Sequence, residues 1–137
     1  MISVAEDYAR CIALRRKVFI EEQGIAETDE IDDLDDQAVH LLATVDGSPV
    51  GTARILIDGD IGKIGRICVL PAQRGTGLGK ELVLAAIAHM RGVPSVKTAK
   101  LGAQDHAIGF YAKLGFTAIG DFYDDAGIPH RDMVRSL

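Results

Sequence analysis

A chain of 137 residues with 47% hydrophobic side chains is long enough to bury one sizeable core, so a single domain over 1–137 is expected. A formal net charge of −5, without a basic stripe interleaved by aromatics, argues against nucleic acid, whose binding rests on Lys and Arg against phosphates. The amino terminus reaches Glu6 and Asp7 before any long apolar run, which speaks against a signal peptide or membrane span, and two distant cysteines, Cys11 and Cys68, suit reduced thiols in a cytoplasm.

In chain order, Ile2 to Val4 predicts a short edge strand. Glu6-Asp7 opens a helix that carries Tyr8, Cys11, Ile12, Val18 and Phe19 at helical spacing and stops at Gly24. Arg15, Arg16 and Lys17 crowd this helix, and a solvated basic face accounts for them as well as a functional role does. From Glu27 to Asp36, seven of ten residues are acidic. The plainer reading is a solvated loop or short helix; the sharper one is a field that draws a cationic amine to a cleft. Ala38 to Val45, the Asp46-Gly47 turn, Pro49 to Ile57, the Asp58-Gly59-Asp60 turn and Ile61 to Leu70 predict three antiparallel strands. His40, in mid-strand, reads as a hydrogen-bonded structural histidine, and Arg54 stays open.

The third strand ends at Pro71 and runs into a loop with Gly75, Gly77 and Gly79, followed by a helix. The first amides of such a helix have no internal partner and its dipole favours negative charge, so the loop is a seat for phosphate oxygens. Two common phosphate motifs fail here. The dinucleotide fingerprint needs glycine where Lys80 stands; the P-loop would put its first glycine on Arg74 and its magnesium-binding hydroxyl on Glu81.

Beyond the loop, Leu78, Leu82, Val83, Ala86, Ile87 and Met90 form one apolar helix face, closed by Gly92 and Pro94. Ser95 to Gly102 predicts a strand, Asp105 an N-cap for a short helix through Lys113 with Phe110 and Leu114 inward, and Gly115 its cap. Phe116 to Phe122 and Pro129 to Leu137 predict the last two strands, joined by a turn at Asp125-Ala-Gly127.

The run Arg74-Gly-Thr-Gly-Leu-Gly79, read as R-x-x-G-x-G after a V-x-P strand end, resembles the acetyl-CoA loop of the GNAT family of N-acetyltransferases. The helix Ala107-Ile-Gly-Phe-Tyr-Ala-Lys-Leu-Gly-Phe116 resembles the family helix that places a tyrosine beside the CoA sulfur. Arg16-Lys-Val-Phe-Ile-Glu-Glu-Gln23 and Tyr123-Asp-Asp-Ala-Gly-Ile-Pro-His-Arg-Asp-Met133 are similar to segments of the small GNAT subgroup related to bacterial ElaA. The element order β, α, β, β, β, α, β, α, β, β carries the resemblance along nearly the whole chain.

The resemblance implies an α/β (α+β) GNAT fold: a central mixed, mostly antiparallel sheet flanked by helices, with a splayed parallel strand pair at the cofactor. It implies acetyl transfer from acetyl-CoA to a primary amine by direct attack. Arg74, Gly75, Thr76, Gly77, Leu78, Gly79 and Lys80 would hold the pyrophosphate. Ile67, Cys68 and Val69 would flank the pantetheine arm, with free amides expected at Cys68 and Leu70, and Gln104 and Tyr111 would complete the cofactor set. Tyr111 would give a hydrogen bond or proton to the leaving thiolate. Cys68 reads as a small buried side chain and not as an acyl carrier.

Many family members carry a glutamate on the strand before the loop, but Gly65-Arg66-Ile67 has none, so the proton acceptor is open among Glu22, His40, His106 and His130. His130 has the residue type to work near neutrality and is the expected catalytic partner of Tyr111. No histidine pair has metal-ligand spacing, so no metal is assigned. A non-catalytic acyl-CoA sensor or partner-binding module on the same fold is the alternative; a nucleotide-binding protein is disfavoured by the two failed motifs. A small-molecule or protein amine acceptor, no nucleic acid or membrane partner, a possible homodimer and a cytoplasmic location complete the expectations.

Overall fold

Two tight turns with left-handed residues organise the centre of the sheet. In the computed structural model, which describes residues 1–137, β2 (Val39–Val45), β3 (Ser48–Asp58) and β4 (Ile61–Val69) follow one another antiparallel. Asp46 and Gly47 have φ of 51° and 80°, the two positive values that a two-residue type I′ hairpin needs. β1 (Ile2–Val4) pairs with β2, and on the far side β4 runs parallel to β5 (Thr98–Gln104). β6 (Thr117–Asp125) and β7 (Ile128–Ser136) complete a seven-stranded sheet of order β1-β2-β3-β4-β5-β7-β6. The mixed, mostly antiparallel GNAT architecture expected from the sequence is the one observed.

The two faces of the sheet bury different residues. On one face lies α3 (Leu78–Arg91), whose Leu82, Val83, Ala86, Ile87 and Met90 pack in one core with Ile55, Ile64, Leu101 and Met133. Burying one such large apolar side chain contributes about 1.5–3 kcal/mol. On the other face, α1 (Ala9–Arg15) continues as a π-helical segment (Arg16–Glu22), and Cys11, Leu14 and Val18 pack with Leu42 and Cys68. Two short helices, α2 (Glu27–Glu30) and α4 (Ile108–Ala112), complete the elements. No helix is long and apolar enough to cross a membrane.

Three expectations change in detail. β5 starts at Thr98 rather than Ser95, because Val93 to Lys97 first closes a turn whose Val96 amide bonds the Val93 carbonyl. Phe110 does not face inward; it is 41% exposed, while Leu114 is buried as expected. The acidic segment and the basic helix face are not simply solvated: Arg15, Glu30 and Asp35 are all buried. A cation and an anion can share the interior when each neutralises the other, and these do.

Candidate active site

The site begins with one extra residue in β4. β3 and β4 pair Thr52 with Cys68 and Arg54 with Gly65, so Ala53 of β3 faces both Arg66 and Ile67. Arg66 has φ of 50°, the left-handed turn of a β-bulge. A non-glycine residue there is strained by about 1 kcal/mol. The Arg66 guanidinium is anchored to the Glu30 carbonyl at 2.9 and 3.2 Å. The bulge bends β4 away from β5, whose parallel pairing with it stops at Ile64 and Leu101. A slot therefore opens between the carboxyl ends of the two strands.

One expectation about that slot is corrected. The Leu70 amide is not free, since it donates to the Val50 carbonyl at 2.9 Å. In an antiparallel ladder the donors alternate, so the Cys68 amide also turns to β3 and those of Ile67 and Val69 turn towards the slot. Cys68 contributes no nucleophile: burial pushes its thiol up to about 12.

The glycine loop is an amide nest. No backbone carbonyl accepts the amides from Gly75 to Lys80, and the first to be taken is that of Glu81, by the Gly77 carbonyl at 3.0 Å. Gly75 and Gly77 reach this shape with φ of 79° and 86°. Consecutive amides at the start of the 14-residue α3 form an anion seat. Leu78 can offer only its amide, because its side chain belongs to the core. Phe110 lies beside the loop, with its ring edge 3.7 Å from where a Gly79 Cβ would stand. Arg74 at the loop entrance is gripped by both Glu22 oxygens, at 2.6 and 2.8 Å.

Arg74 and the slot border a cleft of about 720 Å³ on the face opposite α3. Ile67, Cys68, Val69, Gln104, Tyr111, His106 and His130 line it, whereas residues 75–80 do not. Burial alone pushes the Tyr111 phenol up to about 12, so it stays protonated and able to donate. Its ring meets Phe110 and Phe116 edge to face, at 5.0 and 6.1 Å, which fixes its orientation.

The four proton-acceptor candidates separate here. Glu22 is engaged by Arg74, and this hydrogen bond holds its carboxyl below the usual range. His40 is buried under Tyr8 with Nε2 on the Asp35 carbonyl at 2.8 Å, the structural role expected of it. His106 shares Nε2 with Gln104 Oε1 at 2.7 Å, and Gln104 reaches Gln23 at 3.3 Å. His130 bonds the Ile128 carbonyl through Nδ1 at 2.8 Å. A carbonyl only accepts, so Nδ1 carries a proton, and in the neutral ring Nε2 is left with its lone pair on a ring lining the cleft.

What the sequence did not foretell is the charge cluster under the cleft. Arg15 binds Glu30 at 2.6 Å and Asp35 at 2.8 Å; Arg54 binds Asp32 at 2.8 Å and Asp35 at 3.1 Å; Arg66 reaches Asp32 at 3.3 Å. Three guanidiniums thus tie the acidic segment down onto α1, β3 and β4. A usable signal was present, since Arg54 and Arg66 interrupt apolar strands and Arg15 falls among the apolar positions of its helix. Tyr123, also in the cleft, donates to Asp132 at 2.7 Å over Gly102.

Residues 13–137 match the family model described as an acetyltransferase (GNAT) domain. The chain is 39% identical to the Bacillus subtilis protein YyaT, over 99% of this chain and 93% of that protein. It is 35% identical to Escherichia coli ElaA, over 99% and 91%. Among solved structures, ElaA superposes with a TM-score of 0.85 at 31% identity, covering 98% of this chain and 99% of that one. An acyl-CoA N-acyltransferase from Pseudomonas aeruginosa gives 0.83 at 32% identity, covering 93% and 88%. An aminoglycoside 6′-N-acetyltransferase solved with coenzyme A shares the fold, with a TM-score of 0.80 at 15% identity over 99% and 96% of the two chains.

Proposed function

The chain belongs to the GNAT acetyltransferases, and on that premise we propose that it moves an acetyl group from acetyl-CoA to a primary amine, with Tyr111 and His130 serving the two ends of the reaction. The observation that carries this reading is the conjunction of three features: the amide nest of Gly75 to Lys80, reached from the cleft through Arg74, the slot opened by the Arg66 bulge, and a cleft holding Tyr111 and His130. They fit a ligand with a phosphorylated end, a narrow arm and a reactive tip.

When bound, acetyl-CoA supplies the activated carbonyl that an amine attacks. The amides from Gly75 to Lys80, with Arg74 beside them, would hold the pyrophosphate. Those of Ile67 and Val69 would pair with the pantetheine arm, as a strand edge pairs with an added strand. Cys68, Val69 and Gln104 would wall the slot.

Burial keeps the Tyr111 phenol protonated, so it can give a hydrogen bond to the leaving sulfur as negative charge develops there. His130 Nε2 takes the proton that the attacking nitrogen must lose. The two buried, unbonded cysteines suit a reducing cytoplasm, where we place the protein.

Melting with and without acetyl-CoA tests the cofactor, since a ligand at 100 times its Kd adds about 2.7 kcal/mol of stability. Thiol release with a panel of amines tests the chemistry. No melting shift with saturating acetyl-CoA would discard the assignment.

A further inference from the structure

Resting on the acetyltransferase reading, we propose that the acceptor amine also carries an anionic group, a carboxylate or a phosphate, seated on Lys63 and Lys100, which line the cleft on neighbouring strands. The two lysines are register partners on the parallel strands β4 and β5, and both line the cleft. Partners on neighbouring strands stand about 4.8 Å apart with their side chains on one face. Two ammonium-bearing chains thus lie side by side, an arrangement that destabilises a sheet unless an anion answers it.

One carboxylate faces the pair. Asp132 lies 3.6 Å from the Lys100 ammonium and is shared with the Tyr123 hydroxyl at 2.7 Å. Lys63 has no ion-pair partner, while the other cleft cations do: Arg54 and Arg66 are held by Asp32, Asp35 and Glu30, and Arg74 by Glu22. A further donor stands nearby. The Nε of Arg54 is buried without a partner on the strand that flanks Lys63.

Four of the seven carboxylates in the acidic segment, whose charge in the sequence leaned towards a cationic acceptor, are spent on arginines. The carboxylates that stay unpaired in the cleft, Asp29 and Asp125, belong to α2 and to the end of β6. Ammoniums on β4 and β5 with carboxylates on these other elements suit an acceptor bearing both charges. Lys63 lies two residues before Gly65, about 7 Å along the strand, and the slot opens just beyond Ile64. That separation suits a small molecule.

Matched acceptors test this by thiol release from acetyl-CoA: free amino acids against their carboxamides, amino-sugar phosphates against the unphosphorylated sugars, and a diamine as the cationic control. The expected result is a kcat/KM at least about tenfold higher for the anionic member of one arm, which also tells carboxylate from phosphate. In K63M and K100M that ratio should fall towards one through KM, and K63R should restore it. Equal or faster turnover of the uncharged members or the diamine overturns the proposal, as does an absence of release with both anionic arms. Melting with saturating acetyl-CoA on the same samples separates the failures. A retained shift leaves the acetyltransferase reading standing and sinks the acceptor class alone; a lost shift sinks both.

Discussion

Glu22 grips Arg74 through both of its carboxylate oxygens, so the last turn of the first helical segment is tied to the entrance of the amide nest. The pair is exposed, and its contribution to stability is small and sensitive to salt. Its consequence would fall on ligand binding instead, because a pyrophosphate seated in the nest would compete with Glu22 for one guanidinium. Arg74→Ala should weaken CoA binding roughly tenfold and flatten its salt dependence, whereas Glu22→Gln should tighten it by about twofold. Calorimetric titration of CoA at low and high salt reads both; unchanged affinity in Arg74→Ala would remove that side chain from the phosphate site.

Tyr111→Phe keeps the ring that packs on Phe110 and Phe116 and removes only the donor. Turnover should drop by about 10- to 100-fold while CoA affinity stays within about twofold, since the hydrogen bond matters when charge develops on sulfur. Steady-state kinetics together with a binding titration separates the two effects.

His130→Gln tests the proton acceptor. The variant should turn over roughly 100-fold more slowly, with CoA affinity within about twofold of native, because glutamine cannot take the proton that the attacking amine must lose. Unchanged turnover in the variant, read by steady-state thiol release, would return the role to His106 or to water.

Gly102 leaves room for the Tyr123 hydroxyl, which lies 2.5 Å from where a Cβ would be. Gly102→Ala should push the phenol off Asp132 and disturb the cleft floor without touching the amide nest. We expect a raised acceptor KM, an unchanged CoA affinity and a melting temperature within a few degrees of native.

Asp35 holds Arg15 and Arg54 together. Burial draws its pKa up, but the two guanidiniums more than offset this and leave it below the ordinary aspartate value. A lowered folded pKa means stability that is whole above the unfolded value of about 3.9 and is lost as pH falls through the lower folded one. Asp35→Asn should therefore destabilise by about 3 kcal/mol at pH 7 and show a flatter loss below pH 4 in denaturant melts. Parallel acid limbs in native and variant chains would show that Asp35 does not drive the acid transition.

Local chemistry carried much of this protein. Alternating apolar runs, the Asp46-Gly47 turn and the periodic stripe from Leu78 to Met90 determine strands and helix through contacts between near neighbours, and the glycines from Gly75 to Gly79 determine a loop of free amides through backbone freedom alone. Those terms act over a few residues, so they can be read in order along the chain. The Arg66 bulge and the slot it opens, the ring proton on His130, the loss of the Leu70 amide to Val50 and the pairing of Lys63 with Lys100 were decided only by the tertiary structure. The acidic stretch shows why. Seven acidic residues in ten read as solvated until Arg15, Arg54 and Arg66 arrive from three separate elements. Whether a charge is solvated or buried depends on the partner that folding brings to it, and no local pattern holds that partner.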